Sequence, residues 1–277
     1  MRFNIVSGLP RSGSTLLCNI LNQNPNFYAS STSILPGIVS QAINNWSNSD
    51  ELKSLLINEK EKAVENLRRI CRLICQNWHL SNKPIIFDKS RGWTANLLLL
   101  RELFPKSKAI ITIRHPLNII ASTEKQHRKS GIVLNGGAIP LKERIEGLIG
   151  KGGMVTTSMV GTLDIIHRKV SNVLFIKCED LTADPKITMI KIYNYLEEKY
   201  FDHNFDNIEN VATDTDELYL NKYPHSGSGK IRKSNDLEWR EFISDNLAKE
   251  IMSHPIIGEF TQTFDYGKTG CIPIWDR

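Results

Sequence analysis

The sequence predicts an α/β fold in which a central, mainly parallel sheet carries helices on both faces, and three observations lead there. Short, almost wholly apolar runs recur at residues 3–7 (FNIVS), 84–88 (PIIFD), 108–113 (KAIITI) and 172–177 (NVLFIK). Helix-like stretches separate them, and the first run empties through a glycine-containing turn into a helix-like stretch. Strands about five residues long with no polar face belong inside a parallel sheet covered on both sides. Strands alternating with helices supply the crossovers that parallel neighbours require.

The helical segments are legible in order. Residues 50–80 carry Leu52, Leu55, Leu56, Val64, Leu67, Ile70, Leu73 and Ile74 at spacings of three and four, an amphipathic stripe. Residues 94–104 read as a short apolar helix stopped by Pro105, and residues 116–129 as a helix whose opening Pro116 suits the first turn. Asp184-Pro185 offers a capping side chain and a proline at the first helical position, ahead of Ile187, Ile190, Ile192 and Leu196. The chain, residues 1–277, reads as one domain with helical insertions near 35–80 and 140–170 that build a lid or an acceptor site. Residues 224–234 (PHSGSGKIRKS) crowd glycine, serine and basic residues together, which predicts a mobile cationic loop.

Composition narrows the function classes. With 277 residues, 40% hydrophobic and 23% charged, the chain can bury a large core. No cleavable leader pattern opens it, and no stretch approaches the roughly 18 uninterrupted apolar residues of a membrane span, so the expectation is a soluble, cytoplasmic protein. Cys18, Cys71, Cys75, Cys178 and Cys271 are odd in number, scattered and mostly set in apolar runs. They fit neither a disulfide framework nor a zinc site. A net charge of +5 suits an anionic ligand but is too small and dispersed for nucleic acid. Nothing in the sequence speaks to oligomeric state.

The chemistry concentrates in GLPRSGST, which fits part of the phosphate-loop pattern G-x-x-x-x-G-K-[ST]. Gly8, Gly13 and Thr15 are in place, and Ser14 stands where the lysine belongs. Glycines let backbone amides curl around anionic oxygens, and a helix beginning near Ser14 aims its dipole at them. Arg11 adds a planar, permanently charged fork. The fold class is thus a P-loop-like, three-layer α/β arrangement. The missing lysine counts against hydrolysis of a nucleoside triphosphate, where it reaches the terminal phosphates.

PRSGSTLL, residues 10–17, resembles the 5′-phosphosulfate loop of sulfotransferases that use 3′-phosphoadenosine 5′-phosphosulfate (PAPS). Its spacing to Pro25 is most similar to the tyrosylprotein and carbohydrate branch. The resemblance implies that Arg11, Ser12, Gly13, Ser14 and Thr15 hold the 5′-phosphosulfate. It extends to IITIRHPLNIIAS, where Arg114 and Ser122, eight residues apart, match the pair that binds the 3′-phosphate. In FDKSRGW, Lys89 matches the strand-end lysine beside the bridging oxygen of the donor. FIKCEDLTADP is similar to a segment after a late strand, with Cys178 in place of the usual tyrosine. Gly229, Lys230 and Arg232 resemble the C-terminal loop that closes over the 3′-phosphate.

The general base departs from the family pattern. The resemblance implies a glutamate where this chain has Thr32 in one branch, and a histidine where it has Arg91 in the other. Asp88 and His115 are the remaining candidates, although strand alternation points Asp88 away from Lys89. The expected activity is transfer of a sulfuryl group from PAPS to a hydroxyl or amine of a small-molecule, carbohydrate or peptide acceptor, leaving PAP and requiring no metal. The alternatives are a non-catalytic PAPS- or nucleotide-binding protein and a P-loop kinase with Asp88 as its magnesium ligand. Trp46, Trp78 and Trp93 are aromatic residues suited to stack on an acceptor or to fill the core.

Overall fold

A sheet of five parallel strands forms the middle layer, in the order β2-β3-β1-β4-β5. The strands are β1 (Arg2–Gly8), β2 (Phe27–Thr32), β3 (Ile85–Lys89), β4 (Ala109–Ile113) and β5 (Val173–Lys177). The computed structural model describes residues 1–129, 139–212, 228–234 and 238–266. Residues 224–227 of the predicted cationic loop, and Cys271, lie outside them. β3 and β4 are buried at every position, as inner strands of a sheet covered on both faces are, with Asp88 and Lys89 closing the apolar run of β3.

Alternation along each strand divides the core in two. On one face Val6, Phe87, Ile110 and Ile176 meet α1 (Ser14–Leu21), α10 (Cys178–Ala183) and α11 (Pro185–Leu196). On the other, Ile5, Ile86, Ile111 and Ile113 meet a larger helical layer. That layer contains α2 (Leu35–Ser47), α3 (Asp50–Asn58), α4 (Lys60–Asn77), α5 (Gly92–Ala95) and α6 (Leu97–Leu103). It continues with α7 (Pro116–Lys129), α8 (Leu141–Ile149), α9 (Met154–His167), α12 (Asp245–Met252) and α13 (Pro255–Thr263). Leu35, Val39 and Cys75 from residues 35–80, and Val155 and Met159 from residues 140–170, are buried in the same core as the sheet. Among the described residues no helix is long and apolar enough to cross a membrane.

Sequence and structure differ in three places. β2 is absent from the sequence reading because FYASST is half polar. It is an edge strand, and Asn22 closes its outer backbone by donating to the Ala29 carbonyl at 2.7 Å and accepting from the Ala29 amide at 2.8 Å. The stretch 50–80 is two helices, interrupted where Glu59 leaves helical geometry at φ −142°, ψ 52°. Ile70 and Leu73 of the predicted stripe stay 39% and 49% exposed, whereas Cys71 and Cys75 face the core. The stretch 94–104 likewise divides, into α5 and α6, at Asn96. The Asp184 cap stands as read, its carboxylate accepting from the Ile187 amide at 2.9 Å.

Two glycines fix how β1 passes into α1. Gly8 lies at φ +143°, and a Cβ there would come within 2.1 Å of the Thr112 carbonyl oxygen. Only glycine lets the end of β1 run this close to β4. Gly13, at φ +85°, opens α1, and a Cβ on it would meet Cys178 Sγ at 3.1 Å. Gly8→Ala is therefore expected to cost at least about 3 kcal/mol and to abolish soluble folded protein. Gly13→Ala is expected to cost about 1–2 kcal/mol, read as a lower denaturant midpoint. Equal effects of the two would contradict the geometry.

His203 makes a second prediction. Its ring is buried among Tyr193, Tyr200, Phe201 and Phe205, with Nε2 3.1 Å from the Tyr193 hydroxyl. Burial pushes it down to about 4 from the ordinary 6.5. Between those values the unfolded chain binds the proton and the folded chain does not. Its stabilising contribution is thus complete above about pH 6.5 and is lost as pH falls toward about 4. His203→Gln is expected to flatten the pH dependence of the denaturation midpoint in that window. An unchanged slope would refute the assignment.

Candidate functional site

The carboxyl ends of β1, β3 and β4 converge where strand order reverses about β1, the crevice in which open α/β sheets hold ligands. Between β1 and α1, Arg11 sits at φ +56° and Ser12 is 1% exposed. The Ser12 hydroxyl donates to the Leu9 carbonyl at 2.6 Å and lies 2.7 Å from Thr112 Oγ1. Its side chain therefore shapes the loop. The Leu17 amide bonds the Gly13 carbonyl at 2.9 Å, and the earlier amides at the head of α1 have no carbonyl within the helix. That is the positive end of the helix dipole.

Lys89 ends β3, in register with Val6 of β1 and Thr32 of β2. A register shift between Ala29 and Thr32 brings the Ser30 hydroxyl to accept from the Lys89 amide at 2.9 Å. The Lys89 side chain, 4% exposed, extends on the α1 face, and Nζ donates to Thr15 Oγ1 at 3.0 Å. An ammonium thus reaches the head of α1 from the neighbouring strand, while the loop itself carries Ser14.

Asp88 lies on the other face, as alternation requires. It is fully buried, accepts from Trp93 Nε1 and lies 2.6 Å from His79 Nε2. The structure does not bring it to Lys89. Trp93 is fully buried beside it, while Trp78 is 42% exposed. His115 is the other base candidate, at the head of α7. Its Nδ1 accepts from the Leu117 amide at 3.2 Å, its own amide donates to Glu179 Oε1 at 2.9 Å, and its ring stands edge-on to Tyr266. That bonding leaves the ring proton of the neutral imidazole on Nε2, an arrangement that caps a helix.

Arg114 follows β4 and is 9% exposed. Its Nη1 donates to the Arg11 carbonyl at 3.1 Å, and its Nη2 donates to Ser234 Oγ at 3.3 Å and Glu238 Oε2 at 3.2 Å. Its buried Nε has no hydrogen-bond partner among the described residues. Ser122, two turns into α7, accepts from Arg11 Nε at 3.2 Å. Arg11 therefore touches both members of the pair read from the eight-residue spacing. Gly229, at φ +79°, exchanges two backbone bonds with Ile208 at 2.7 and 2.9 Å. Lys230 is exposed and pairs with Asp206 at 2.9 Å, and Arg232 is exposed. It is Ser234 of this segment that reaches Arg114, held by its amide donating to Thr182 Oγ1 at 3.1 Å.

Three residues near Arg114 were missed in the sequence: Lys125, Ser234 and Glu238. Lys125 carried a usable signal, since three residues past Ser122 it shares that helix face. Glu238 carried none, because tertiary folding alone brings it to α7. Glu124, on the same helix, is buried. Burial pushes its carboxyl up, but hydrogen bonds from Arg144 and Arg128 outweigh that and hold it below the ordinary value. Under the loop, burial pushes the Cys178 thiol up to about 11, so it adds no negative charge there.

Residues 5–202 match the profile of the sulfotransferase family. Among solved structures, the sulfotransferase domain of the Synechococcus PCC 7002 olefin synthase is 20% identical with a TM-score of 0.58, the alignment covering 96% of this chain and 94% of that one. Mouse sulfotransferase SULT7A1 complexed with PAP is 13% identical with a TM-score of 0.53, over 96% and 86% of the two chains. Retinol dehydratase in complex with androsterone and PAP is 15% identical with a TM-score of 0.52, over 95% and 82%. No curated protein matches by sequence. These likenesses share the three-layer fold described above, and the profile match spans the phosphate-type loop, Lys89, Arg114 and Ser122. The chain belongs to the sulfotransferase family.

Proposed function

We propose that the chain moves the sulfuryl group of PAPS to a hydroxyl or amine of an acceptor and releases PAP. The observation that carries this reading is the Lys89 ammonium 3.0 Å from Thr15 Oγ1. It is a buried cation at the helix head where loop amides favour an anion. PAP in two of the similar structures supports the donor, and the orphaned Arg114 Nε offers a donor group to a bound phosphate. In this scheme Arg11, Ser12, Gly13, Ser14 and Thr15 hold the 5′-phosphosulfate, and Arg114 and Ser122 hold the 3′-phosphate. Gly229, Lys230 and Arg232 close over the nucleotide. Lys230 would exchange Asp206 for it, at little cost for an exposed pair.

The acceptor's oxygen or nitrogen attacks sulfur, and the bond from sulfur to the bridging oxygen breaks in line. Its electron pair stays on the 5′-phosphate of PAP, and the acceptor's proton is released. Negative charge grows on the bridging oxygen during transfer, so Lys89 stabilises the transition state more than the bound donor. No step calls on a metal. Thr32, beside Lys89 in the β2–β3 register, holds the position of one family base, and a hydroxyl is no base near neutrality. Neither Asp88 nor His115 is assigned that role here, because their hydrogen bonds serve the core and the α7 cap.

Two measurements test the reading. With sulfur-labelled PAPS and fractionated cell extract, the wild type is expected to label an acceptor identifiable by mass spectrometry, and Lys89→Met to lower the rate roughly 10²–10³-fold while still binding PAP. Tight PAP binding without any labelled product would favour a non-catalytic nucleotide-binding protein. Arg114→Ala is expected to weaken PAP roughly 10- to 100-fold and to leave adenosine 5′-monophosphate nearly unaffected. Equal losses for both ligands would overturn the assignment of the 3′-phosphate site.

A further inference from the structure

The cations around Arg114 already hold an anion belonging to the chain. Glu238 opens a short 3-10 turn, Glu238–Glu241. Its Oε2 lies 3.2 Å from Arg114 Nη2 and its Oε1 lies 3.0 Å from Lys125 Nζ. Lys125 sits one turn beyond Ser122 on the same face of α7, and Ser234 Oγ lies 3.3 Å from the same Arg114 Nη2. A carboxylate bridging a guanidinium and an ammonium is a smaller, singly charged version of a phosphate bridging them. Arg114 also keeps a buried Nε with no partner among the described residues, a donor that the two carboxylate oxygens leave unmatched.

We propose that Glu238 is a displaceable stand-in for the donor's 3′-phosphate, and that Lys125 is a third ligand of that phosphate beside Arg114 and Ser122. The inference rests on the PAPS reading above. A phosphate and a carboxylate cannot share the same N–H donors at about 3 Å without strong like-charge repulsion, so one must leave. The phosphate holds more charge and more acceptor oxygens, and it can also engage the orphaned Nε. Glu238 has a way out, because its side chain is 22% exposed and pairs with the 41% exposed Lys125. Arg114 stays in place, since its Nη1 is anchored on the neutral Arg11 carbonyl.

Two consequences follow from the exchange. Before the donor binds, Glu238 neutralises and orients two cations that would otherwise repel each other. A nucleotide lacking the 3′-phosphate leaves Glu238 where it is and gains nothing from Lys125, so the pair sharpens selection for the bisphosphate. Displacement also draws on the affinity for PAP, which speeds product release.

Calorimetric titration of the full chain with PAP and with adenosine 5′-monophosphate tests this. Glu238→Gln is expected to tighten PAP roughly threefold to tenfold, and to leave the monophosphate within about twofold. Lys125→Met is expected to weaken PAP roughly tenfold and to spare the monophosphate. Weaker or unchanged PAP binding by Glu238→Gln, or equal effects of Lys125→Met on both nucleotides, overturns the inference while the wild type still prefers PAP. A wild type that binds PAP no more tightly than the monophosphate overturns the donor reading, and this inference with it.

Discussion

Everything at the site depends on a buried ammonium held at the positive end of a helix. Two like influences meet there, the Lys89 charge and the amides at the head of α1, and both favour an anion. The Thr15 hydroxyl accepts one ammonium proton at 3.0 Å and fixes the direction of the side chain. β3 supplies the height of Lys89, its register with β1 supplies the depth, and the irregular end of β2 secures its amide through Ser30. A shift of one residue in β3 would send Lys89 to the opposite face and Asp88 to the loop.

This placement also shows how a loop without its customary lysine still has an ammonium at the helix head. A lysine within the loop would sit beside the terminal phosphates of a triphosphate. A lysine from the adjacent strand approaches the head of α1 from the side, where a leaving oxygen can be met as it gains charge. The glycines serve the same geometry. Gly8 allows β1 to run against Thr112, and Gly13 lets the chain turn over Cys178. Arg11 then lies between Arg114 and Ser122, joining the loop to the α7 side of the crevice.

The sheet was legible where strands are apolar runs, the edge strand β5 included, and illegible at the opposite edge, in β2. FYASST buries one side, leaves polar groups on the other, and owes its pairing to Asn22 and β3. Helix starts at Pro116 and Asp184 were readable because caps are local. The break at Glu59 falls in the gap that the stripe leaves between Leu56 and Val64, where neither proline nor glycine marks a stop. At the site, glycines, strand ends and the Arg114–Ser122 spacing are local signals. Ser234 and Glu238 arrive from segments more than a hundred residues distant, so no spacing announces them. The partners of Asp88 are near in sequence, His79 and Trp93 on either side of β3, but no periodicity aims them at its carboxylate.

Which nucleotide the wild-type chain selects, and whether magnesium matters, bears most directly on the placement of Lys89. Competition between PAP and ATP for the purified chain, with magnesium present and then removed by a chelator, separates the two kinds of loop. A phosphosulfate site with its lysine on β3 predicts that PAP displaces ATP and that its affinity is the same in both conditions. ATP binding that requires magnesium and displaces PAP would contradict it.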